Sequence, residues 1–154
     1  EGENYDYIHN KGMRDSGTPL TALSLGVSYH QKGWFIDLNG NYYDRIYLSY
    51  SPYYRMDGPL SKLNEEPSAQ DKGNGGFMLD GSIGKSIRLK KGQLSINFMV
   101  TNILNNTRIC TGGYEQSRSD FTSSGNARSY RFSKNPKKYY AYGTNGMINL
   151  SYRF

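Results

Sequence analysis

Two histidines, one cysteine and 13 acidic residues are the side chains of this 154-residue chain best suited to metal binding or acid-base chemistry. His9 and His30 lack the His-x-x-x-His spacing that would put two imidazoles on one helical face, so no metal site is expected. Cys110 has no second thiol to pair with, which excludes an internal disulfide and a thiolate cluster; it is expected to be passive. Gly84-Lys85-Ser86 imitates the end of a phosphate loop, but Leu79 stands where the first glycine should be and no helix is expected after it. With the carboxylates largely in turns and loops, no nucleophile-base pair or carboxylate pair can be built, so neither an enzyme nor a cofactor is expected. Charge and aromatic rings remain. Arg118, Arg128, Arg131, Lys134, Lys137 and Lys138 outnumber Glu115 and Asp120 between 111 and 138. They suit either an anionic ligand or a solvated loop. Tyr53, Tyr54, Tyr114 and Tyr130 could stack on a sugar or flat ligand, or pack against neighbouring loops. Nucleic acid is not expected despite a net charge of +6, because the in-phase aromatics belong to an apolar face rather than to a basic one.

The elements that carry these residues read as strands. With 36% hydrophobic residues and a mean hydropathy of -0.77 the chain is too polar for a large soluble core, yet its 15 Tyr argue against disorder. Period-two alternation marks strands at about 20–30, 33–50, 76–89, 92–104 and 139–154. Leu23, Leu25, Val27 and Tyr29 alternate with Ser24, Gly26, Ser28 and His30; Leu94, Ile96, Phe98 and Val100 alternate with Ser95, Asn97, Met99 and Thr101. Short turns fall at Gln31-Lys32-Gly33 and Lys90-Lys91-Gly92, and long polar loops at about 51–75 and 105–138.

Alternation alone suits a secreted β-sandwich binding module as well as a membrane barrel. Strands of about 10–15 residues exceed the usual ~5–6 and match a tilted bilayer crossing. Tyr29, Trp34, Tyr140 and Tyr142 stand near strand ends, where an interfacial girdle requires aromatic side chains. The chain has no apolar run of about 20 residues, and Glu1-Gly2-Glu3-Asn4 carries no secretion signal, so it is expected to be a piece of a longer precursor. If the last strand ends in the periplasm, both short turns are periplasmic, both long loops are extracellular, and residues 1–18 are the end of another extracellular loop. Two residues break the pattern: Lys85 falls on the apolar face, by snorkelling or by a bulge at Gly84, and Asn102 interrupts that face.

Leu94 to Asn106 resembles the penultimate-strand motif of TonB-dependent receptors, an alternating strand ending in an Asn-Leu-Phe-Asn-like corner, with Ile103-Leu104 in place of Leu-Phe. Ile148 to Phe154 resembles the signal read by the barrel-assembly machinery, carried by Leu150, Tyr152 and Phe154, with Asn149 where glycine is frequent. Gly33 to Asp44, Thr111 to Gln116 and Lys138 to Gly143 look like Bacteroidota members of the family, which commonly carry an N-terminal carboxypeptidase-regulatory-like domain. The resemblance implies an all-β fold: a transmembrane antiparallel β-barrel in the outer membrane, of which this chain is the last five of 22 strands around a plug. It implies energy-coupled nutrient uptake, with no catalytic activity. The implied partners are outer-membrane lipid, the other strands and plug, TonB through an N-terminal region, the assembly machinery and a surface lipoprotein. The cations of 111–138, with Tyr53, Tyr54 and Tyr114, then become candidate contacts for lipopolysaccharide or an extracellular ligand. A structural or assembly role without transport is the alternative.

Overall fold

A computed structural model describes residues 6–63, 69–115, 119–121, 127–129 and 136–154; side chains are not described at 54, 62, 63, 119–121 and 127–129. The chain is all-β and antiparallel. Its elements are β1 (Pro19–Gln31), β2 (Trp34–Tyr47), a 3-10 turn (Pro52–Arg55), α1 (Asp57–Leu63), β3 (Lys72–Gly73), β4 (Gly76–Leu89), β5 (Gly92–Thr101), β6 (Cys110–Tyr114), β7 (Ser119–Phe121), β8 (Ala127–Ser129), β9 (Lys137–Tyr140) and β10 (Asn145–Arg153). The principal sheet runs β1-β2-β4-β5-β10, with β3 attached to β2, while β6-β9 and β7-β8 form separate pairs. The chain divides into a loop unit (1–20, 45–73 and 110–139) and a sheet unit (21–44, 74–109 and 140–154).

In the sheet unit the alternation within each strand is brought into register across strands. Ile36 pairs with Ile83, Ile83 with Phe98 and Phe98 with Ile148. The next row on that face is Trp34, Lys85, Ile96 and Leu150. One residue over, Asp37, Ser82, Met99 and Met147 form a row of the opposite face, and Phe35, Gly84, Asn97 and Asn149 another. A slip of one residue would exchange the faces of a whole strand, so this agreement fixes the register. The apolar face is not covered: Leu25 is 76% exposed, Phe98 41% and Leu150 67%. The polar face is tied by hydrogen bonds. Ser24 donates to Asn39 and Asn41, Asn41 donates to Asp80 at 3.3 Å, and Ser28 and Ser82 both donate to Asp37. Gly84 leaves room for the Phe35 ring, since a Cβ there would lie 2.0 Å from a ring carbon.

The turn between β1 and β2 has positive φ at both Lys32 and Gly33, the backbone that matches the twist of paired strands. At the other end of β5, Asn102 takes φ 52° and ends the strand at Thr101 rather than near 104. It does not interrupt the apolar face, because its side chain is buried in a corner. Nδ2 donates to the carbonyls of Asn106 and Tyr142, and Oδ1 accepts from the Asn106 amide at 2.9 Å. Its own amide donates to Asp80, its carbonyl accepts from Thr144 Oγ1, and the Ile103 amide donates to the Leu79 carbonyl. The same corner divides the expected strand at 139–154 into β9 and β10, with Ala141 to Thr144 outside both.

The loop unit is built differently, around a small buried core of Ile46, Leu48, Leu60 and Cys110. The expected loop at 51–75 contains the 3-10 turn, α1 and β3, and the one at 105–138 contains β6, β7, β8 and the start of β9. The first turn of α1 is capped from outside, the Asp6 carboxylate accepting the Gly58 amide at 3.2 Å. Gln70 ties the strap near residue 14 to the core: its amide nitrogen donates to the carbonyls of Arg14 and Leu48, and its oxygen accepts the Arg14 amide. Gly73 is a packing requirement, because a Cβ there would lie 2.3 Å from both Cβ and Sγ of Cys110.

Candidate functional site

The turn end of the sheet unit gathers most of the aromatic and assembly residues that the sequence singles out. Tyr29, Trp34, Tyr152 and Lys85 all carry their bodies on the apolar face, and three of their polar tips bend the same way. Tyr29 Oη donates to the Gln31 side chain, Lys85 Nζ donates to the Lys32 carbonyl at 2.9 Å, and Tyr152 Oη donates to the Lys91 carbonyl at 3.2 Å. Each acceptor lies in or beside a turn. An apolar body with its tip directed to one edge is the geometry of side chains that straddle an apolar and a wet medium.

Lys85 thereby resolves one of the two anomalies. The pairing of β4 with both neighbours is continuous through Gly84 and Lys85, so there is no bulge. Its ammonium instead lies 4.6 Å from the centre of the Trp34 ring, over its face, in a cation–π contact. Leu150 and Tyr152 belong to the apolar face, opposite Ile96 and Leu94, and Phe154 is almost fully exposed 6.0 Å from the Tyr152 ring. Tyr140 and Tyr142 do not continue this face. Tyr140 ends β9, and Tyr142 lies in the break before β10, 92% exposed and held through its carbonyl by Asn102.

In the loop unit, Tyr53 is exposed in the 3-10 turn and Lys137 is exposed in β9. Tyr114 faces Tyr139 with ring centres 6.4 Å apart. The neighbouring Tyr114 phenol pushes the Tyr139 hydroxyl above the ordinary tyrosine range, with desolvation adding to it. Arg118, Tyr130, Arg131 and Lys134 lie outside the described residues, as do the side chains of Tyr54 and Arg128. The geometry brings together the Tyr114–Tyr139 pair, while most of the cationic cluster falls outside the described residues. Lys138 reaches Asp71 at 3.9 Å.

Among the described residues, the strongest electrostatic feature of this unit has no signature in the sequence. Arg55 Nη2 donates to Glu115 Oε1 at 2.6 Å, with both side chains at most 5% exposed, and the guanidinium also lies over the Tyr50 ring. Burial pushes the Glu115 carboxyl up from its ordinary value, and the attraction and hydrogen bond of Arg55 offset this only in part. The partners are far apart in sequence, so no periodicity could have paired them. Among the described residues no cluster of His, Cys, Asp and Glu could hold a metal ion, and no helix is long and apolar enough to cross a membrane, which says nothing of strands. No family model, curated protein or solved structure matches the chain.

Proposed function

We propose that this chain supplies the last five strands of a 22-stranded, plugged outer-membrane β-barrel of the TonB-dependent receptor type, which imports an unidentified nutrient. The observation that carries the reading is the uncovered apolar face, continuous across all five strands. Burying one large apolar side chain is worth ~1.5–3 kcal/mol, so roughly ten of them left half in water forgo on the order of 10 kcal/mol. That is as large as the whole net stability of a typical domain, about 5–15 kcal/mol. Acyl chains would relieve the cost.

Three further features support it. The tips of Tyr29, Lys85 and Tyr152 lean toward the turns, as side chains at a membrane interface do. The opposite face carries Asp37, Asn39, Asp80 and Asn97, which suits a polar lumen. Among the described residues, β1 and β10 each have one unpaired edge, which further strands would cover. A sandwich would set a second sheet against the apolar side chains, and their exposure weighs against it. In this reading the turns are periplasmic, the loop unit is extracellular and available to lipopolysaccharide or ligand, and Leu150, Tyr152 and Phe154 present the assembly signal. Energy coupling comes from a plug and a TonB-binding segment elsewhere in the parent protein.

Fractionation of cells making the full-length parent tests the proposal. It is expected to sediment with outer membranes and to resist both urea and carbonate; release into the soluble fraction would sink the barrel. Deleting the TonB-binding segment of the parent separates import from a purely structural role: loss of growth on the scarce nutrient is expected, and unchanged growth would favour the structural alternative.

A further inference from the structure

The turn end of the sheet is strongly one-signed. Lys32, Lys85, Arg88, Lys90, Lys91 and Arg153 lie in or beside the two turns and the end of β10. The first carboxylate along β2 is Asp37, which points to the polar face and is held by Ser28 and Ser82. No Asp or Glu side chain lies within 29–36, 84–95 or 150–154, the rows nearest the turns. On the apolar side the charge is set at a defined height: Lys85 Nζ lies over Trp34 and uses one of its three protons on the Lys32 carbonyl. An acceptor beside this ammonium would meet the Lys32 backbone from the turn and the Trp34 ring from the apolar face.

We propose that this end of the sheet docks anionic phospholipid headgroups, the phosphate being received by Lys85 and Lys32. The inference rests on the barrel reading above and adds to it a lipid class and a leaflet, the periplasmic one. A soluble phosphate would account for the cations but not for the rings of Tyr29, Trp34 and Tyr152. Those lie on the apolar face, where acyl chains of the same lipid would run. A zwitterionic headgroup has no net charge to match the cations. Each basic residue near an anionic surface favours binding by about fivefold, and salt weakens the effect.

The test uses the full-length parent reconstituted into nanodiscs holding equal amounts of phosphatidylcholine and phosphatidylglycerol, re-extracted in mild detergent, with the retained lipids counted by native mass spectrometry. Phosphatidylglycerol is expected in excess, the excess falling as sodium chloride is raised. Lys85→Gln is expected to lower the ratio about fivefold and Lys85→Gln with Lys32→Gln to lower it further. Lys11→Gln, at an exposed position of the loop unit, is expected to leave it unchanged. Equal retention of the two lipids by the unaltered parent would overturn the proposal even if a variant failed to fold. So would a preference insensitive to salt, or glycerol phosphate displacing the lipid as well as lipid does. A parent that never enters the nanodisc would sink the barrel reading itself, a different result from insertion without preference.

Discussion

Replacing Asn102 by alanine removes three hydrogen bonds at a position 2% exposed, and the cost can be worked from the corner's geometry. Each bond is worth ~1 kcal/mol net, so about 2–4 kcal/mol is lost from the three hydrogen bonds together. Alanine at φ 52° adds ~1 kcal/mol of backbone strain that glycine does not suffer. Asn102→Ala is therefore expected to cost about 3–5 kcal/mol locally, and Asn102→Gly about 1 kcal/mol less. Hydrogen exchange followed by mass spectrometry on the full-length protein reads this directly. Peptides covering 102–106 and 141–146 should exchange on the order of 100- to 5000-fold faster in the alanine variant. Equal exchange in the alanine and glycine variants would refute the strain argument. Acceleration of less than about fivefold in both would refute the claim that the asparagine side chain holds the corner.

Two other substitutions test the packing and the buried charge. Gly84→Ala drives a methyl group into the Phe35 ring and is expected to destabilise the sheet unit by ~1–3 kcal/mol, with Phe35→Leu restoring part of the loss; additive effects in the double variant would contradict the contact. Because the folded-state pKa of Glu115 is raised, the native loop unit binds its proton more readily than the unfolded chain does. Its stability should then fall as pH rises through the window above the ordinary glutamate value, and Glu115→Gln should flatten that slope in local hydrogen exchange; a slope unchanged by the substitution would contradict the burial argument.

Strand existence was legible because a strand needs only two residues to repeat its environment. The expected span 76–89 coincides with β4, and 20–30 differs from β1 by a residue at each end. Boundaries failed where a side chain replaced the ladder. Nothing in the alternation of 92–104 distinguishes Asn102 from a polar residue in an apolar row, yet its left-handed backbone and three side-chain bonds stop β5 and split the last strand. The loop unit was illegible for a related reason. Ile46 lies at the end of β2 and Leu48 just past it, but Leu60 and Cys110 come from α1 and β6, and neither this meeting of distant segments nor the Arg55–Glu115 pair leaves a period to detect. Extending the phase of β10 backwards places Tyr140 and Tyr142 in the girdle, across a break that the phase does not reveal.

The polar composition, at first sight an argument against any stable fold, follows from the same division. A soluble domain must enclose its apolar residues, and a chain with 36% of them has few to enclose. In the sheet unit an apolar side chain needs no enclosure by protein on the barrel reading, because lipid covers one face and the other is satisfied by hydrogen bonds among Ser, Asn and Asp. Half of each strand can then be polar without loss. The loop unit instead encloses Ile46, Leu48, Leu60 and Cys110 in one buried cluster, and it also buries the Arg55–Glu115 charge pair. Arg55 and Glu115 are costly to bury, and a well-packed apolar pair could serve stability equally well. What the ion pair supplies is a contact that only one pairing of the 3-10 turn with the end of β6 satisfies, so Arg55→Met with Glu115→Leu should keep the unit folded but broaden its hydrogen exchange. Retention of native protection across 52–60 and 110–115 in that double variant would show that the pair does not specify the fold of the unit.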